Sequence, residues 1–452
     1  MSKTRSAVLI TAAIAVSYTT ASWFIGNQIK SNVYETVEHI NKQIEAGGAG
    51  ELFSEQYALH VAEYRKGVFN SKANIVLSIN SDSGLNNEYF FNTELEHGLF
   101  PLSELKTGSF KPRFAVAKTI MQPTDNAKQV FTETGDLITI YTNVAIDGSS
   151  HSIFQIAPGK LESIDGLVQF SEVKGFINSE DQFGKVSGQL FLDSIAAYYD
   201  EETEASASIT GVSTEFATVL KSANGFDYST NTIIDSIHIY ENDNLVPIDF
   251  IGFNINSSGS IIQGIANTRS DYEVTKLKID NADTGSLKVG IGIQSLNIKS
   301  LARMRHDLSG KAGSEMLSHN PVFTISPFVW ENSAGTSEAS LELSLQDSGQ
   351  QDINAIKSLQ LSVGVNQPMA IELFKSLDTR SNSSEAQSAI MASFAFGLYA
   401  ESLKAAGVAV SEGNTLKTDL LVEPAQDRVV LNGNTMSIND LMQGLAGLML
   451  GF

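Results

Sequence analysis

Ile233-Ile234-Asp235-Ser236-Ile237-His238-Ile239-Tyr240, the run Ile248 to Ile255, and Leu287-Lys288-Val289-Gly290-Ile291-Gly292-Ile293 decide the fold. In them, aliphatic side chains recur at every second position. That period sends successive side chains to opposite faces of a strand. Isoleucine and valine are stiff at χ1 and favour extended backbone. The pattern reaches back to about Ala73, through Ile75-Val76-Leu77-Ser78-Ile79, Tyr89-Phe90-Phe91 and Leu137-Ile138-Thr139-Ile140-Tyr141. It continues forward through Leu341-Glu342-Leu343-Ser344-Leu345 and Leu359-Gln360-Leu361-Ser362-Val363. Turn chemistry separates the runs at Asp82-Ser83-Gly84, Thr134-Gly135-Asp136, Asp147-Gly148, Asn224-Gly225 and Asp283-Thr284-Gly285. One strand does not alternate with one helix, which argues against a parallel doubly wound sheet. The spacing predicts an α+β protein, predominantly β, with large antiparallel sheets over residues 51–295.

Residues 296–452 read as an α+β C-terminal region. Leu296 to Leu308 suits a short helix. Val322 to Trp330 is a strand interrupted by Pro327, the mark of an edge or a bulge. Pro368 fits the first helical position of a helix running on through Leu377. Ser383 or Ser384 caps a second helix, with Ala386, Ile390, Phe394 and Leu398 on one face and Gly407 at its end. Leu420 to Val422 and Arg428 to Leu431 form a hairpin, and Asn432-Gly433 makes the next turn. Ser437 with Asp440 resembles a capping box before a terminal apolar helix from Ile438 to about Leu450.

The amino terminus fixes a compartment. Residues 1–5 form a basic start, with Lys3 and Arg5. Residues 6–25 carry no charge, and at about 1.5 Å per residue a helix of that length spans roughly 30 Å, one bilayer core. Basic residues stay on the cytoplasmic side, so the bulk of the chain is expected outside. Ala7 to Val16 followed by Thr19-Thr20-Ala21 also fits a cleavable secretory signal. Trp23 and Phe24, at the level of an aromatic belt, favour a retained anchor. Residues 26–46 continue as a membrane-proximal amphipathic helix whose stripe is Ile29, Val33, Val37, Ile40 and Ile44. Gly47-Gly48-Ala49-Gly50 follows as a flexible joint. A stripe of that kind must be covered, and its three-and-four spacing permits a two-helix seam, so a homodimer is expected.

Composition excludes more than it names. The formal net charge is -21, from 30 basic and 51 acidic residues, a surface that repels phosphate backbones and argues against nucleic-acid binding. The chain has no cysteine, so disulfides, thiolate metal sites and cysteine nucleophiles are ruled out. His39, His60, His97, His151, His238, His306 and His319 show no i, i+4 pair and no H-E-x-x-H, so no metal site is expected. Gly290-Ile291-Gly292 lacks the third glycine of a dinucleotide loop, and neither a Walker lysine nor a G-x-S-x-G elbow occurs. Asp200-Glu201-Glu202 with Glu204 lacks the spaced ligands of a calcium loop and reads as solvated. No cofactor and no catalytic residue is expected.

A few motifs stand out from this background. They are Tyr64-Arg65-Lys66-Gly67-Val68-Phe69-Asn70-Ser71, Phe91-Asn92-Thr93-Glu94-Leu95-Glu96-His97-Gly98-Leu99-Phe100-Pro101-Leu102, Pro321 to Trp330, and Leu431-Asn432-Gly433-Asn434-Thr435-Met436-Ser437. Physics gives them plain roles. Gly67 suits a tight turn with Tyr64 and Phe69 beneath it; Gly98 bends the chain and Pro101 ends strand pairing. His97 is an acid or base in principle, but it lacks neighbours that complete a catalytic device. Together these segments resemble the YdgA family of bacterial envelope proteins of unknown function, over nearly the whole chain. The stretch between Leu296 and Pro321 is shorter than that resemblance leads one to expect. The resemblance implies an inner-membrane anchor, a periplasmic bulk and self-association, and it supplies no catalytic residues.

Three functions fit. The first is a non-enzymatic binding or structural module of the envelope, whose partner is a second copy or another envelope protein. The second is a carrier of an apolar ligand such as a lipid, with long strands lining a groove. The third is an envelope hydrolase with a site assembled from distant residues. Topology is directly testable. A reporter active only outside the cytoplasm, fused after Gly50, is expected to be active, and the mature protein to keep its first residues in the membrane fraction. Soluble material starting near Ser22 would replace the anchor by a cleaved signal.

Overall fold

The computed structural model describes Glu38, Asn41 and residues 55–66, 70–81, 86–97, 108, 113–128, 130–131, 135–163, 166–180, 184–198, 207–222, 225–239, 246–298, 300, 311–347, 355–377 and 385–443. The chain divides into two compact units, Met1–Ala223 and Asn224–Phe452. Antiparallel strands dominate both, as the period-two runs predict. The expected anchor, residues 6–25, lies outside the described residues.

The first unit contains β1 (Glu55–Lys66), β2 (Asn70–Ser81), β3 (Asn86–His97), β4 (Ala115–Met121), β5 (Ile138–Val144), β6 (Ser150–Ile156), β7 (Gly159–Ser163), β8 (Gly166–Phe170), β9 (Val173–Glu180), β10 (Lys185–Tyr198) and β11 (Ala207–Ser222), with a one-turn helix α1 (Asp125–Lys128). The strands pair in the order β1-β2-β3-β4-β5-β6-β9-β10-β11. The β7–β8 hairpin joins the far half of β10, beyond β9. Burial alternates along β4 and β6, with the inward face fully covered. Cross-strand neighbours stack in rows: Leu59, Leu77 and Tyr89 in one, Ile75, Phe91 and Met121 in the next. Together with Ile140, Phe154 and Ile156 they form a closed core. Two buried hydroxyl pairs cross that face without leaving a polar atom orphaned, Thr93 with Thr119 and Thr142 with Ser152, each at 2.9 Å. The Phe154 ring lies over Gly175, where a Cβ would sit 2.5 Å from its Cζ and 2.3 Å from the Gln189 carbonyl oxygen. Only glycine fits beneath that ring.

The second unit contains β12 (Gly225–Ile239), β13 (Ile248–Ile262), β14 (Ile265–Ile279), β15 (Ala282–Asn297), β16 (Val322–Asn332), β17 (Gly335–Leu345), β18 (Ile356–Asn366), β19 (Val410–Glu412), β20 (Thr415–Glu423), β21 (Arg428–Leu431) and β22 (Asn434–Met436). Its helices include α2 (Lys311–Leu317), α3 (Gln367–Leu377) and α4 (Glu385–Ala405). Each strand from β12 to β18 pairs with the next, and β18 then pairs with β20. The other edge of β20 holds β19 and β21 side by side, and β22 follows β21. Residues 295 and 296, the expected regional boundary, lie inside β15.

Several local signals act as read. The register shifts in β16 between Ile325 and Phe328, around Pro327. Helix α3 begins at Gln367, one residue before Pro368, the expected first position, and Asn366 Oδ1 accepts the Met369 N–H at 3.1 Å there. Asn432 and Gly433 both have positive φ, 49° and 82°, as a two-residue hairpin turn demands. Ser437 Oγ accepts the Asp440 N–H at 3.1 Å while Asp440 Oδ2 accepts the Ser437 N–H at 3.2 Å, a reciprocal box opening helix 438–443. The Ser437 hydroxyl and backbone N–H hold the Asp440 carboxyl below the usual carboxylate range.

The aromatic side chains of Phe69, Phe91, Phe100, Phe323 and Trp330 are expected to be largely buried; Phe69 and Phe100 lie outside the described residues. Phe91 is 0% exposed, but Phe323 and Trp330 are only half-buried. Unit one closes its apolar face; the face carrying Phe323 and Trp330 stays open. Phe91→Ala is therefore expected to cost about 3–5 kcal/mol, and Phe323→Ala clearly less, because little cavity forms at a half-open site. Chemical unfolding of the two variants checks this; equal losses would show that Phe323 is as enclosed as Phe91.

Candidate functional site

The open face of the second sheet is built from cross-strand rows. One runs Phe253, Val274, Leu287, Trp330. The next runs Ile255, Tyr272, Val289, Phe328, Ala339, Val363. A third runs Ile291, Ile325, Leu341, Leu361, Leu420, Leu431, and a fourth Ile293, Phe323, Leu343, Leu359, Val422, Val429. None of these residues is charged. Directly opposed residues share a face and successive residues alternate, so the charges fall on the other side. There Lys288 pairs with Glu273 at 2.9 Å and Arg269 with Asp271 at 2.7 Å. Glu338, Glu342, Lys417 and Asp419 occupy the same polar side. At the β14–β15 turn the Lys276 ammonium, hydrogen-bonded to it, holds Asp283 below the usual carboxylate range.

Pattern alone does not distinguish this face from a core; burial does. Val274, Val429 and Leu431 are buried, but the other apolar members of these rows remain half-exposed, and Ile291 is 39% exposed. Across β12 to β21, nine strands at ~4.8 Å give a face about 38 Å wide. Toward β12–β15 it deepens into a concavity of about 330 Å³. Its lining is apolar and aromatic throughout, and includes Phe250, Phe253, Tyr272, Val274, Leu287 and Val289. Phe250 and Phe253 are three residues apart, so plain alternation would point them to opposite faces. Between them Gly252 has φ +64° and its carbonyl accepts the Thr275 hydroxyl at 3.1 Å, and both rings end on the concave side, 6.4 Å apart. Phe253 also stacks with Tyr272 at 6.4 Å. The polar groups of this face are few. Ser257 and Ser270 bond to each other at 2.8 Å, next to the Tyr272 row.

The motif residues expected from the sequence do not gather here. Tyr64 donates its hydroxyl to Ser71 Oγ at 3.2 Å, across β1 and β2. His97 ends β3, paired with Ala115. Asn432 ties three segments together: its Oδ1 accepts the Asp419 N–H at 2.9 Å, and its Nδ2 donates to the Val408 and Gly407 carbonyls at 2.9 and 3.1 Å. The Tyr64 and Asn432 contacts tie strands and turns together. Gly67, Phe69, Gly98, Phe100 and Pro101 lie outside the described residues, as do Ile29, Val33, Val37, Ile40 and Ile44. From the same predicted helix, Asn41 is described and helical. Its carboxamide takes both backbone groups of Leu59, accepting the N–H and donating to the carbonyl at 2.9 Å each. Among the described residues no three histidine or carboxylate side chains cluster as metal ligands. His151 meets Asn178 at 2.6 Å and His238 meets Asp249 at 2.8 Å. The concavity was missed from sequence because its signal, Phe-x-x-Phe around a glycine, breaks the alternation that identified the strands.

The chain matches, over residues 1–439, the model of a family described as bacterial proteins of unknown function, DUF945. The chain belongs to this family. It is 24% identical to Protein YdgA of Escherichia coli K12, across 98% of this chain and 96% of that protein. It is 25% identical to the uncharacterized protein YihF of the same organism, across 40% of each chain. No solved structure matches. Membership of DUF945 confirms the resemblance drawn from the motifs. It assigns no chemistry, so the functional reading must come from geometry.

The flipped backbone at Gly252 is the most sensitive point of the concavity. An alanine there would hold φ positive at about 1–2 kcal/mol, with its Cβ 2.7 Å from Thr275 Oγ1. Gly252→Ala is expected to lower the unfolding midpoint and enlarge or distort the concavity, read by the fluorescence of an apolar probe. Unchanged stability and probe binding would show that the strand passes Phe250 and Phe253 without this flip.

Proposed function

We propose that this chain is a non-enzymatic module of the bacterial envelope, held to the inner membrane by residues 6–25 with its bulk in the periplasm, and that its second sheet binds the acyl chains of a lipid. One observation supports the ligand: a charge-free apolar face that crosses the whole sheet and remains half-exposed, deepening between β12 and β15. A face meant only as core would be covered, as in the first unit. A 330 Å³ concavity lies within the range of small-molecule sites, which are mostly apolar with few polar groups. Hydrocarbon matches it: each methylene withdrawn from water contributes about 0.8 kcal/mol. Self-association through the stripe Ile29 to Ile44 belongs to the same proposal, with Asn41 holding that helix to the edge of β1.

The test is photocrosslinking of the full-length protein in membranes containing a phospholipid with a photoreactive acyl chain. Adducts are expected at Val289, Ile291 and Phe328 and absent at Lys288 and Glu342. Ile291→Asp is expected to weaken labelling about tenfold, equivalent to ~1.4 kcal/mol. Adducts spread equally over both faces would sink the lipid reading. Crosslinks joining two copies through the apolar face, without lipid adducts, would replace it with a sheet-to-sheet dimer.

A further inference from the structure

Helix α4 carries its side chains in the reverse of the usual order for a water-facing helix. It buries small residues, with Ser388, Ala392 and Ala400 at 7%, 8% and 9% exposure. It exposes large apolar ones, with Ile390, Phe394 and Leu398 at 69%, 67% and 59%. The spacing of four places these three on one line along the helix. From Ala386 to Ala400 no residue is charged, in a chain whose net charge is -21. The helix packs against α3, whose Phe374 is itself 54% exposed. The sequence assigned the line Ala386, Ile390, Phe394 and Leu398 to one helical face; the structure turns that face outward.

We infer that this face of α4 docks on a bilayer, with Ile390, Phe394 and Leu398 entering the acyl region of a phospholipid leaflet. The inference does not depend on what the second sheet binds. Entry into a leaflet requires that no charge be drawn into hydrocarbon, and the run from Ala386 to Ala400 has none; its exposed polar groups, on Gln387, Ser393 and Tyr399, are neutral. Attachment to a bilayer strengthens with the apolar area buried in it, and the exposed side of α4 supplies that area. No helix among the described residues is long and apolar enough to cross a membrane, so α4 rests in one leaflet. In this the inference rests on the proposed anchor: a chain tethered by the uncharged segment 6–25 would meet the bilayer surface at high effective concentration. The acidity elsewhere on the chain opposes anionic headgroups, so attachment comes from insertion and is insensitive to salt.

Because the chain has no cysteine, single substitutions report cleanly. The full-length protein is reconstituted in phosphatidylcholine nanodiscs, carrying Ile390→Cys, Phe394→Cys, Leu398→Cys or, on the polar sheet face, Glu342→Cys. Each is labelled with a polarity-sensitive dye, and all four positions lie at or near the surface, so labelling spares the fold. Dyes at 390, 394 and 398 are expected to emit at shorter wavelength and to lose emission when the acyl chains are brominated, at low and high salt alike. The dye at 342 is expected to do neither. Emission at 394 as insensitive to bromination as at 342 overturns the inference. A short-wavelength emission at 394 that survives bromination assigns the face to a protein contact and overturns it equally.

Discussion

An apolar sheet face must be covered by something, because each strand sends half its side chains to each side and water disfavours hydrocarbon on either. Both units of this chain obey the same alternation. In the first, the rows through Leu77, Phe91 and Phe154 are sealed from solvent. In the second, the rows through Val289, Ile325 and Leu361 are not. The lipid reading and the contrast in aromatic burial both derive from that difference in cover.

Much of the architecture was legible. Period-two runs gave the strands, Asn432-Gly433 gave a turn with two positive φ values, and Ser437 with Asp440 gave a reciprocal cap. These signals are local, so a short window of sequence contains all of their physics. What was not legible is relational. The same Leu-x-Leu-x-Leu pattern describes a sealed face and an open one, and only the rest of the fold says which. Phe91 and Phe323 stand in the same pattern yet differ in cover for that reason. Phe250-x-x-Phe253 escaped notice because the flip at Gly252 depends on Thr275, a residue of the next strand. Helix α4 was recognised as a helix with an apolar line, but which way that line faces is a tertiary fact.

The shared motifs show how little such signatures say about chemistry. Asn432 makes contacts to Asp419, Gly407 and Val408, joining a hairpin to the end of α4. Tyr64 caps a hydroxyl contact with Ser71. These residues hold junctions of this chain together. The residues lining the concavity, by contrast, need only be apolar and of suitable size.

The order of strands in the second unit has a consequence for how that unit is made. From β12 to β18 each strand pairs with the one synthesised just before it. Such contacts are close in sequence, which favours rapid folding, and each hairpin can join the growing edge as it emerges. The width of the face is then a count of hairpins. Adding or removing one at a turn would widen or narrow the face by two strands without rerouting the chain, so the apolar area on offer can change over evolution without a new fold.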